Sequence, residues 1–249
     1  MAHLLIDIGN TSTKVAVSRN GRLCHRQKCT ELTDEILKPL LDGYDISCVG
    51  VSVVGDASRL VGLPVSLPCL RVSSGIKLPF TIAYDSPQTL GADRLAASVA
   101  AYALGGGGAC LVIDAGTCIT IDYIDGGACY RGGAILPGMD MKFRALHNFT
   151  ANLPLLDIET LSEASDMPSS VSILGGSTRD SIRVGVIDAT VLALQGFLDR
   201  YKAMEPSLRL FLTGGAAPWL ENALDTEVCH EPDLVLIGID KCLEDNCKF

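Results

Sequence analysis

Residues 4–17 form an apolar run that is interrupted by small and polar side chains. These are Asp7, Gly9, Asn10, Thr11 and Lys14. A bend of this composition presents backbone N–H groups, close access at Gly9 and the positive charge of Lys14 to an anion. Asp7 could hold a hydrated divalent cation beside a phosphate. These residue types favour the binding of nucleotide phosphates, although Asp-x-Gly also forms ordinary tight turns.

A second stretch, residues 110–124, repeats this pattern 107 residues later. Its corresponding polar and small residues are Asp114, Gly116 and Thr117. Each copy is followed by a dipeptide that favours a two-residue hairpin turn, Asn20-Gly21 after the first and Asp125-Gly126 after the second. A repeat of domain size predicts two related domains, and it favours phosphate binding over an incidental turn.

Periodicity predicts the elements that position these residues. Leu4–Ile6 and Val15–Val17 predict two strands of a hairpin, and residues 63–90 predict irregular loop with short strands. The other predicted elements are a helix at 32–41, a strand at 46–54, a helix at 91–104, a strand and then a helix within 131–146, a helix at 177–204, a strand at 208–212 and a helix at 234–243. Four glycines at 105–108 predict a boundary between domains 1–107 and 108–249.

Composition excludes several classes of protein. The chain has 249 residues, of which 48% are hydrophobic, enough for two cores of α/β type. Its formal net charge of −9, without a basic stripe, argues against nucleic acid as a partner. We expect no membrane span and no signal peptide, and hence a cytoplasmic protein. The 10 cysteines lack zinc-type spacing and are expected to be reduced.

Asp93 and Arg94 stand at the head of the predicted helix 91–104, where backbone N–H groups favour anions. Two interpretations are open. In the structural one, Asp93 is an N-terminal helix carboxylate and Arg94 is a solvated neighbour. In the functional one, Asp93 accepts the proton of an attacking hydroxyl, and Arg94 binds a substrate carboxylate through two hydrogen bonds.

The duplicated Asp-x-Gly unit resembles the actin-like ATPase superfamily, which implies two ribonuclease-H-like domains with mixed sheets and an ATP cleft between them. Motifs in order along nearly the whole chain further resemble type III pantothenate kinases. They are DIGNT at 7–11, GADR at 91–94, DAGT at 114–117, GGAILPG at 132–138, Thr178 and TGG at 213–215. The resemblance implies a homodimer that transfers the γ-phosphoryl group of ATP to the primary hydroxyl of pantothenate, the first step toward coenzyme A. It also implies a need for Mg²⁺ and for K⁺ or NH₄⁺.

The resemblance also implies roles for individual residues. The ATP phosphates would be bound by Asp7, Ile8, Gly9, Asn10, Thr11, Ser12, Thr13 and Lys14, with Asp7 also binding magnesium. Additional ATP contacts would come from Thr117, Thr213, Gly214 and Gly215. Asp114 would ligate the monovalent cation, and Asp93 would be the proton acceptor. Pantothenate would be bound by Tyr84, Gly91, Ala92, Asp93, Arg94 and Thr178.

Alternatives remain for several of these residues. Thr178 could be a helix N-terminal residue, Tyr84 a loop aromatic, and the TGG at 213–215 a strand-to-helix turn. Cys118 replaces the Ala that is common in the family, a nearly isosteric change that should preserve the loop.

A different class of function also stays open. An actin-like ATP-binding regulatory protein without small-molecule kinase activity would share the phosphate loops, and so would a phosphatase or another kinase on this fold. The GADR motif at 91–94 favours the pantothenate kinase.

Overall fold

The computed structural model describes residues 1–55, 57–60, 63, 67–158, 161 and 171–247. The strands are β1 (Ala2–Ile8), β2 (Thr13–Arg19), β3 (Arg22–Cys29), β4 (Ile46–Val53), β5 (Cys69–Arg71), β6 (Thr81–Ile82), β7 (Cys110–Ala115), β8 (Cys118–Ile124), β9 (Cys129–Pro137), β10 (Arg209–Thr213) and β11 (Cys229–His230). The helices are α1 (Asp34–Gly43), α2 (Ala92–Leu104), α3 (Met139–Asn148), α4 (Thr178–Arg183), α5 (Ala189–Met204), α6 (Ala217–Ala223) and α7 (Leu234–Asn246).

The chain divides into two compact units. The first comprises Met1–Cys110, Asp122–Gly132 and Asp233–Phe249, and the second comprises Leu111–Ile121 and Gly133–Pro232. The first unit thus contains the predicted first domain together with a hairpin and a helix from later in the chain. The predicted boundary between residues 107 and 108 divides the chain into two ribonuclease-H-like domains, and this division stays a prediction.

A five-stranded mixed sheet with the order β3-β2-β1-β4-β5 lies in the first unit. β1 pairs antiparallel with β2 and parallel with β4, and it is buried along most of its length. Asn20 and Gly21 have φ values of 53° and 71°, as the predicted two-residue hairpin turn requires. β3 was not among the predicted strands, because its polar, largely exposed residues give no buried apolar pattern.

Helices α2 and α7 pack closely against each other within the first unit. A Cβ atom placed on Gly238 would lie 1.8 Å from the carbonyl oxygen of Ala96. Gly50 on β4 is similarly crowded, since a Cβ there would lie 2.5 Å from Cγ2 of Ile239. Glycine at 238 therefore permits the backbones of the two helices to meet, and glycine at 50 seats α7 on the sheet.

A second, six-stranded sheet has the order β11-β10-β7-β8-β9-β6. The predicted two-residue turn at Asp125-Gly126 is wrong, because β8 and β9 are joined by the four residues 125–128. Asp125 accepts hydrogen bonds from the N–H groups of Gly127 and Cys129, and Ala128 adopts a φ of 55°. The side chain of Asp125 thus stabilises a longer loop that the dipeptide alone does not predict.

The predicted helix 177–204 is interrupted by a π-helical turn, Val184–Asp188, between α4 and α5. Together these segments span 27 residues with a mean hydropathy of 1.4 over their most apolar window, so by length and composition alone they could cross a membrane. A core helix of a soluble protein passes the same test, and 44% of that window is buried. The helix is therefore weak evidence for a membrane.

Cysteines and clusters of metal-binding side chains can be surveyed in the described part of the chain. All 10 cysteines are unpaired. No cluster of three or more His, Cys, Asp or Glu side chains suited to a metal ion occurs among the described residues.

Candidate active site

The first phosphate loop, residues 9–12, joins β1 to β2. The N–H group of Gly9 donates to the carbonyl oxygen of Ser12 over 3.0 Å, which closes the loop. Asn10 and Thr11 at its tip are exposed. A Cβ on Gly55 would lie 2.6 Å from the carbonyl oxygen of Gly9, so the chain after β4 supports the loop at close range. The loop is held at its base and open at its tip.

Arg59 is a contributor to this loop that the sequence analysis missed. Its guanidinium donates to the carbonyl oxygen of Gly9 over 2.7 Å and to Oγ1 of Thr13 over 3.0 Å. It also donates to the carbonyl oxygen of Thr30. Arg59 therefore ties together the two ends of the loop. A single arginine in an irregular segment carries no sequence signal for this role.

Asp7 lies near the end of β1, opposite Lys14 on β2 and Ser52 on β4. It is 8% exposed, and its Oδ1 atom has no hydrogen-bond partner within the described residues. Burial raises the pKa of Asp7 to about 6. The charge of Lys14 and a hydrogen bond from Ser52 to the carboxylate oppose this shift, and the charge of Asp93 adds to it. A buried anionic oxygen without a partner is costly, and a cation relieves that cost. The site therefore fits Mg²⁺, which commonly uses one or two carboxylates together with phosphate oxygens and water.

Asp93 lies in the first turn of α2, after the N-cap residue Gly91. Its Oδ1 atom accepts a hydrogen bond of 2.7 Å from the N–H group of Arg94. Burial raises the pKa of Asp93, while that hydrogen bond lowers it. A Cβ on Gly91 would lie 2.6 Å from the same oxygen, so glycine leaves room for the carboxylate. The carboxylate of Asp93 is half-buried, and its charge acts on Asp7. A carboxylate in this position is able to accept a proton.

Arg94 is buried, which contradicts the alternative of a solvated neighbour. It is 7% exposed, and its Nε atom donates to Oδ1 of Asp122 over 2.9 Å. Nη2 lies 2.8 Å from the same oxygen. The hydroxyl of Tyr130 also donates to this oxygen. The sequence analysis assigned no role to Asp122 or Tyr130, although an acidic residue within the apolar strand β8 is the type of signal that identifies a buried polar partner.

Tyr84 joins the same group of residues. The guanidinium of Arg94 is hydrogen-bonded to the Tyr84 side chain. The Tyr84 and Tyr130 rings meet edge to face with centroids 6.1 Å apart. Gly132, at a φ of +93°, leaves the space into which the Tyr84 ring packs, since a Cβ there would lie 3.2 Å from ring atoms. The first unit thus brings together most of the predicted acceptor residues: Tyr84, Gly91, Ala92, Asp93 and Arg94.

The second phosphate loop lies in the second unit and is shorter than the first. Gly116 and Thr117 alone join β7 to β8, and the N–H of Gly116 donates to the carbonyl oxygen of Cys118 over 3.0 Å. Gly138, at the start of α3, donates to the carbonyl oxygen of Thr117 over 3.1 Å. Asp114 lies beside this turn, with its Oδ1 atom 3.5 Å from a Cβ placed on Gly116. The two copies of the motif therefore share a plan and differ in turn length.

The TGG segment packs against this second loop. Gly214 has a φ of +95°, and a Cβ there would lie 2.5 Å from the backbone of Ala115. The N–H of Ala216 donates to the carbonyl oxygen of Ala115 over 3.0 Å. The Oγ1 atom of Thr213 is buried and has no hydrogen-bond partner in the described part of the chain. The structure thus places Thr213 to Gly215 beside the loop that follows β7.

Thr178 belongs to the second unit, whereas the other predicted acceptor residues belong to the first. It is the exposed first residue of α4, in the second unit. The N-cap of that helix is Ser177, whose hydroxyl accepts a hydrogen bond of 3.1 Å from the N–H of Asp180. Thr178 is therefore a helix N-terminal residue without being the cap, and its side chain is exposed to solvent.

Comparison with known proteins extends this picture. Residues 3–200 match the family model of type III pantothenate kinase. A type III pantothenate kinase from Phocaeicola vulgatus is 36% identical over 252 residues, covering 99% of this chain and 100% of its own. A type III pantothenate kinase from Porphyromonas gingivalis is 33% identical over 247 residues, which cover 98% of this chain and 98% of its own.

The fold has solved counterparts as well. The structure of a proposed N-acetylmannosamine kinase from Listeria monocytogenes superposes with a TM-score of 0.58 at 16% identity, covering 98% of this chain and 99% of the other. At this identity the likeness concerns the fold alone, and the fold confirms the predicted α/β architecture with two mixed sheets. By sequence, the chain belongs to the type III pantothenate kinase family.

Proposed function

We propose that this chain transfers the γ-phosphoryl group of ATP to the primary hydroxyl of pantothenate, giving 4′-phosphopantothenate in the first step toward coenzyme A. Family membership supports the activity. The observation that carries the site assignment is the buried Oδ1 atom of Asp7, which has no hydrogen-bond partner among the described residues. Asp7, beside the first phosphate loop, and Asp93, beside the buried Arg94, lie close enough that the charge of Asp93 raises the pKa of Asp7.

The first loop binds the ATP phosphates in this proposal. Exposed backbone at Asn10 and Thr11, together with Lys14, supplies donors and positive charge, while Arg59 holds the loop in place. Asp7 would hold Mg²⁺ through Oδ1, the oxygen for which the described residues offer no hydrogen-bond partner. When bound, Mg²⁺ neutralises charge that develops around the γ-phosphoryl group.

The acceptor is bound by Tyr84, Gly91, Ala92, Asp93, Arg94 and Thr178 in this proposal. Arg94 binds the carboxylate of pantothenate, and Asp93 orients the hydroxyl and accepts its proton as the P–O bond forms. The half-buried carboxylate of Asp93, with its raised pKa, suits this role better than a fully solvated one.

Residues of the second unit complete the ATP contacts. Thr117 approaches the phosphates, and Thr213 to Gly215 approach the adenosine, where the unpartnered hydroxyl of Thr213 offers a hydrogen bond. Asp114 ligates K⁺ or NH₄⁺. The support for these roles is the contact of the Gly214 backbone with Ala115, which directly follows Asp114.

The activity is tested by measuring ADP release with ATP and pantothenate against sugars, acetate and no acceptor. We expect release that depends on pantothenate and stops when it is exhausted. ATP hydrolysis at the same rate without any acceptor would contradict kinase function and favour an actin-like regulatory ATPase. The acidic net charge of −9 supports small-molecule substrates in the cytoplasm over nucleic acid.

We predict that turnover requires both Mg²⁺ and K⁺ or NH₄⁺. Phosphoryl transfer depends on neutralising charge at the γ-phosphate, and the proposal places one cationic side chain, that of Lys14, at the phosphates. Removal of K⁺ and NH₄⁺ in sodium buffer should lower kcat by about tenfold or more. Full turnover in sodium alone, with Mg²⁺ present, would contradict Asp114 as a monovalent-cation ligand.

We predict a homodimer that associates through the second unit. Large apolar side chains of this unit remain exposed in the single chain: Ile135, Met141, Phe149, Leu155, Ile173, Leu174 and Leu192. Phe149 is 87% exposed and Leu174 is 82% exposed, which is unfavourable in water. Light scattering at micromolar concentration should give twice the chain mass of 26.3 kDa. A fully active protein with the mass of one chain would contradict this prediction.

A further inference from the structure

A buried polar network on the hairpin of β8 and β9 has no part in the roles assigned above. Asp122 is 1% exposed and Tyr130 is 0% exposed. Oδ1 of Asp122 accepts a hydrogen bond from Nε of Arg94 at 2.9 Å and from the hydroxyl of Tyr130 at 2.5 Å. Nη2 of Arg94 lies 2.8 Å from the same oxygen. Three donor atoms therefore converge on one carboxylate oxygen.

These contacts fix both the charge and the orientation of Arg94. Burial lowers the pKa of Arg94, but the charge and hydrogen bonds of Asp122 outweigh burial and raise it. Burial and the charge of Asp122 raise the pKa of Tyr130, which keeps its hydroxyl a donor. Contact through both Nε and Nη2 holds the guanidinium plane, which a single hydrogen bond would leave free to turn.

The network continues to the aromatic side of the site. The side chain of Tyr84 is hydrogen-bonded to Arg94, and its ring packs edge to face against Tyr130. The ring of Phe80 stacks on the ring of Tyr130, with the two centroids 6.3 Å apart. Tyr130 is thus held by packing as well as by its hydrogen bond, so it limits the positions open to Asp122.

We infer that Asp122 and Tyr130 are positioning residues that orient the guanidinium of Arg94 and so set the preference for an acceptor that carries a carboxylate. The inference rests on the proposed function, in which Arg94 binds the carboxylate of pantothenate. Arg94 directly follows Asp93 in the first turn of α2. A guanidinium that turns would therefore shift the bound acceptor relative to the proton acceptor.

Asp122 also has an opposite electrostatic effect, because its negative charge repels a substrate carboxylate. We expect orientation to dominate. Without its carboxylate partner the buried guanidinium must turn to find other acceptors, since a buried unpaired charge is unfavourable. It then no longer presents its donors in one fixed direction. Loss of Asp122 should therefore weaken discrimination in favour of the anionic acceptor.

The test compares kcat/KM for pantothenate with kcat/KM for its uncharged primary amide. In Asp122→Asn, the preference for pantothenate should fall by about tenfold or more, and in Tyr130→Phe by roughly threefold, because a charged hydrogen bond contributes more than a neutral one. KM for ATP should change by less than about twofold in both variants, since neither contacts the phosphate loop. The matched control is Asp125→Asn on the same hairpin, which removes the exposed pair with Arg131 and should keep the wild-type preference.

If Asp122→Asn does not fold, Tyr130→Phe alone tests the positioning role, because this variant preserves the ion pair between Arg94 and Asp122. A preference that is unchanged or higher in the folded variants would overturn the positioning role. Equal losses with pantothenate, amide and ATP would also overturn it, because they indicate general damage. Wild-type protein that does not phosphorylate pantothenate would instead contradict the proposed function itself.

Discussion

Asp93→Asn should lower kcat for phosphoryl transfer by about two orders of magnitude or more, the low end of the range for removal of a general base. A primary alcohol has a pKa far above 7, so its attack profits from a carboxylate that takes the proton as the P–O bond forms. Asn keeps the shape of the side chain and removes the charge. The helix itself should lose only about 1 kcal/mol, because the carboxylate contacts its N-terminal N–H group.

Steady-state kinetics at saturating substrates, together with thermal unfolding and ATP binding, check this prediction. Asp7→Asn is the matched control. It should raise the Mg²⁺ concentration needed for half-maximal rate as well as slow turnover, because Asp7 offers its unpartnered oxygen to the metal. If Asp93→Asn keeps more than roughly a third of wild-type kcat, the proton-acceptor role is wrong and Asp93 is a helix carboxylate only.

Gly238→Ala should destabilise the protein by about 3 kcal/mol or more, the upper end of the usual cost of overpacking. The added Cβ would lie 1.8 Å from the carbonyl oxygen of Ala96. The Cβ is fixed to the backbone of α7, and the oxygen belongs to the backbone of α2. Neither helix can move a side chain aside, so α7 must shift away from α2 along buried residues. A loss of this size corresponds to a fall in Tm of roughly 6–12 °C for a chain of this length.

Gly196→Ala on α5 provides the control for helix propensity. A Cβ there meets no atom within 4 Å, so Ala should stabilise the helix by roughly 0.5–1 kcal/mol. Both Tm values come from thermal unfolding followed by circular dichroism. Equal Tm values for Gly238→Ala and the wild type would show that the two helices do not pack at this distance.

Local patterns predicted most of the elements, because their signals lie within one stretch of sequence. The buried strands β1 and β2, the Asn20-Gly21 turn after β2, and the Ala-rich α2 followed by glycines each carry their own periodicity or end signals. The Asp125-Gly126 turn failed by contrast, since the decisive contacts come from the Asp125 side chain to residues up to four positions away.

Contacts distant in sequence account for what the residue pattern of the site did not predict. Asp93 was identified together with Arg94 as a motif at a helix start, yet the burial of Arg94 depends on Asp122, 28 positions away. Arg59 reaches Gly9 across 50 positions. Asp122 stands out locally as an acidic residue within an apolar strand, but that signal does not name its partner, and Arg59 has no comparable local signal. The chain must fold before their role is visible.

Because α7 lies near the end of the chain, it is synthesised after the sheet and the helix against which it packs. Gly50 and Ala96 belong to the early part of the chain, but both meet a helix that begins at Leu234. During translation, at roughly 5–20 residues per second, the amino-terminal sheet therefore leaves the ribosome well before the helix that covers it. The nascent first unit exposes apolar surface for that interval. A ribosome-associated chaperone would find its binding surface here, on the side that α7 later occupies.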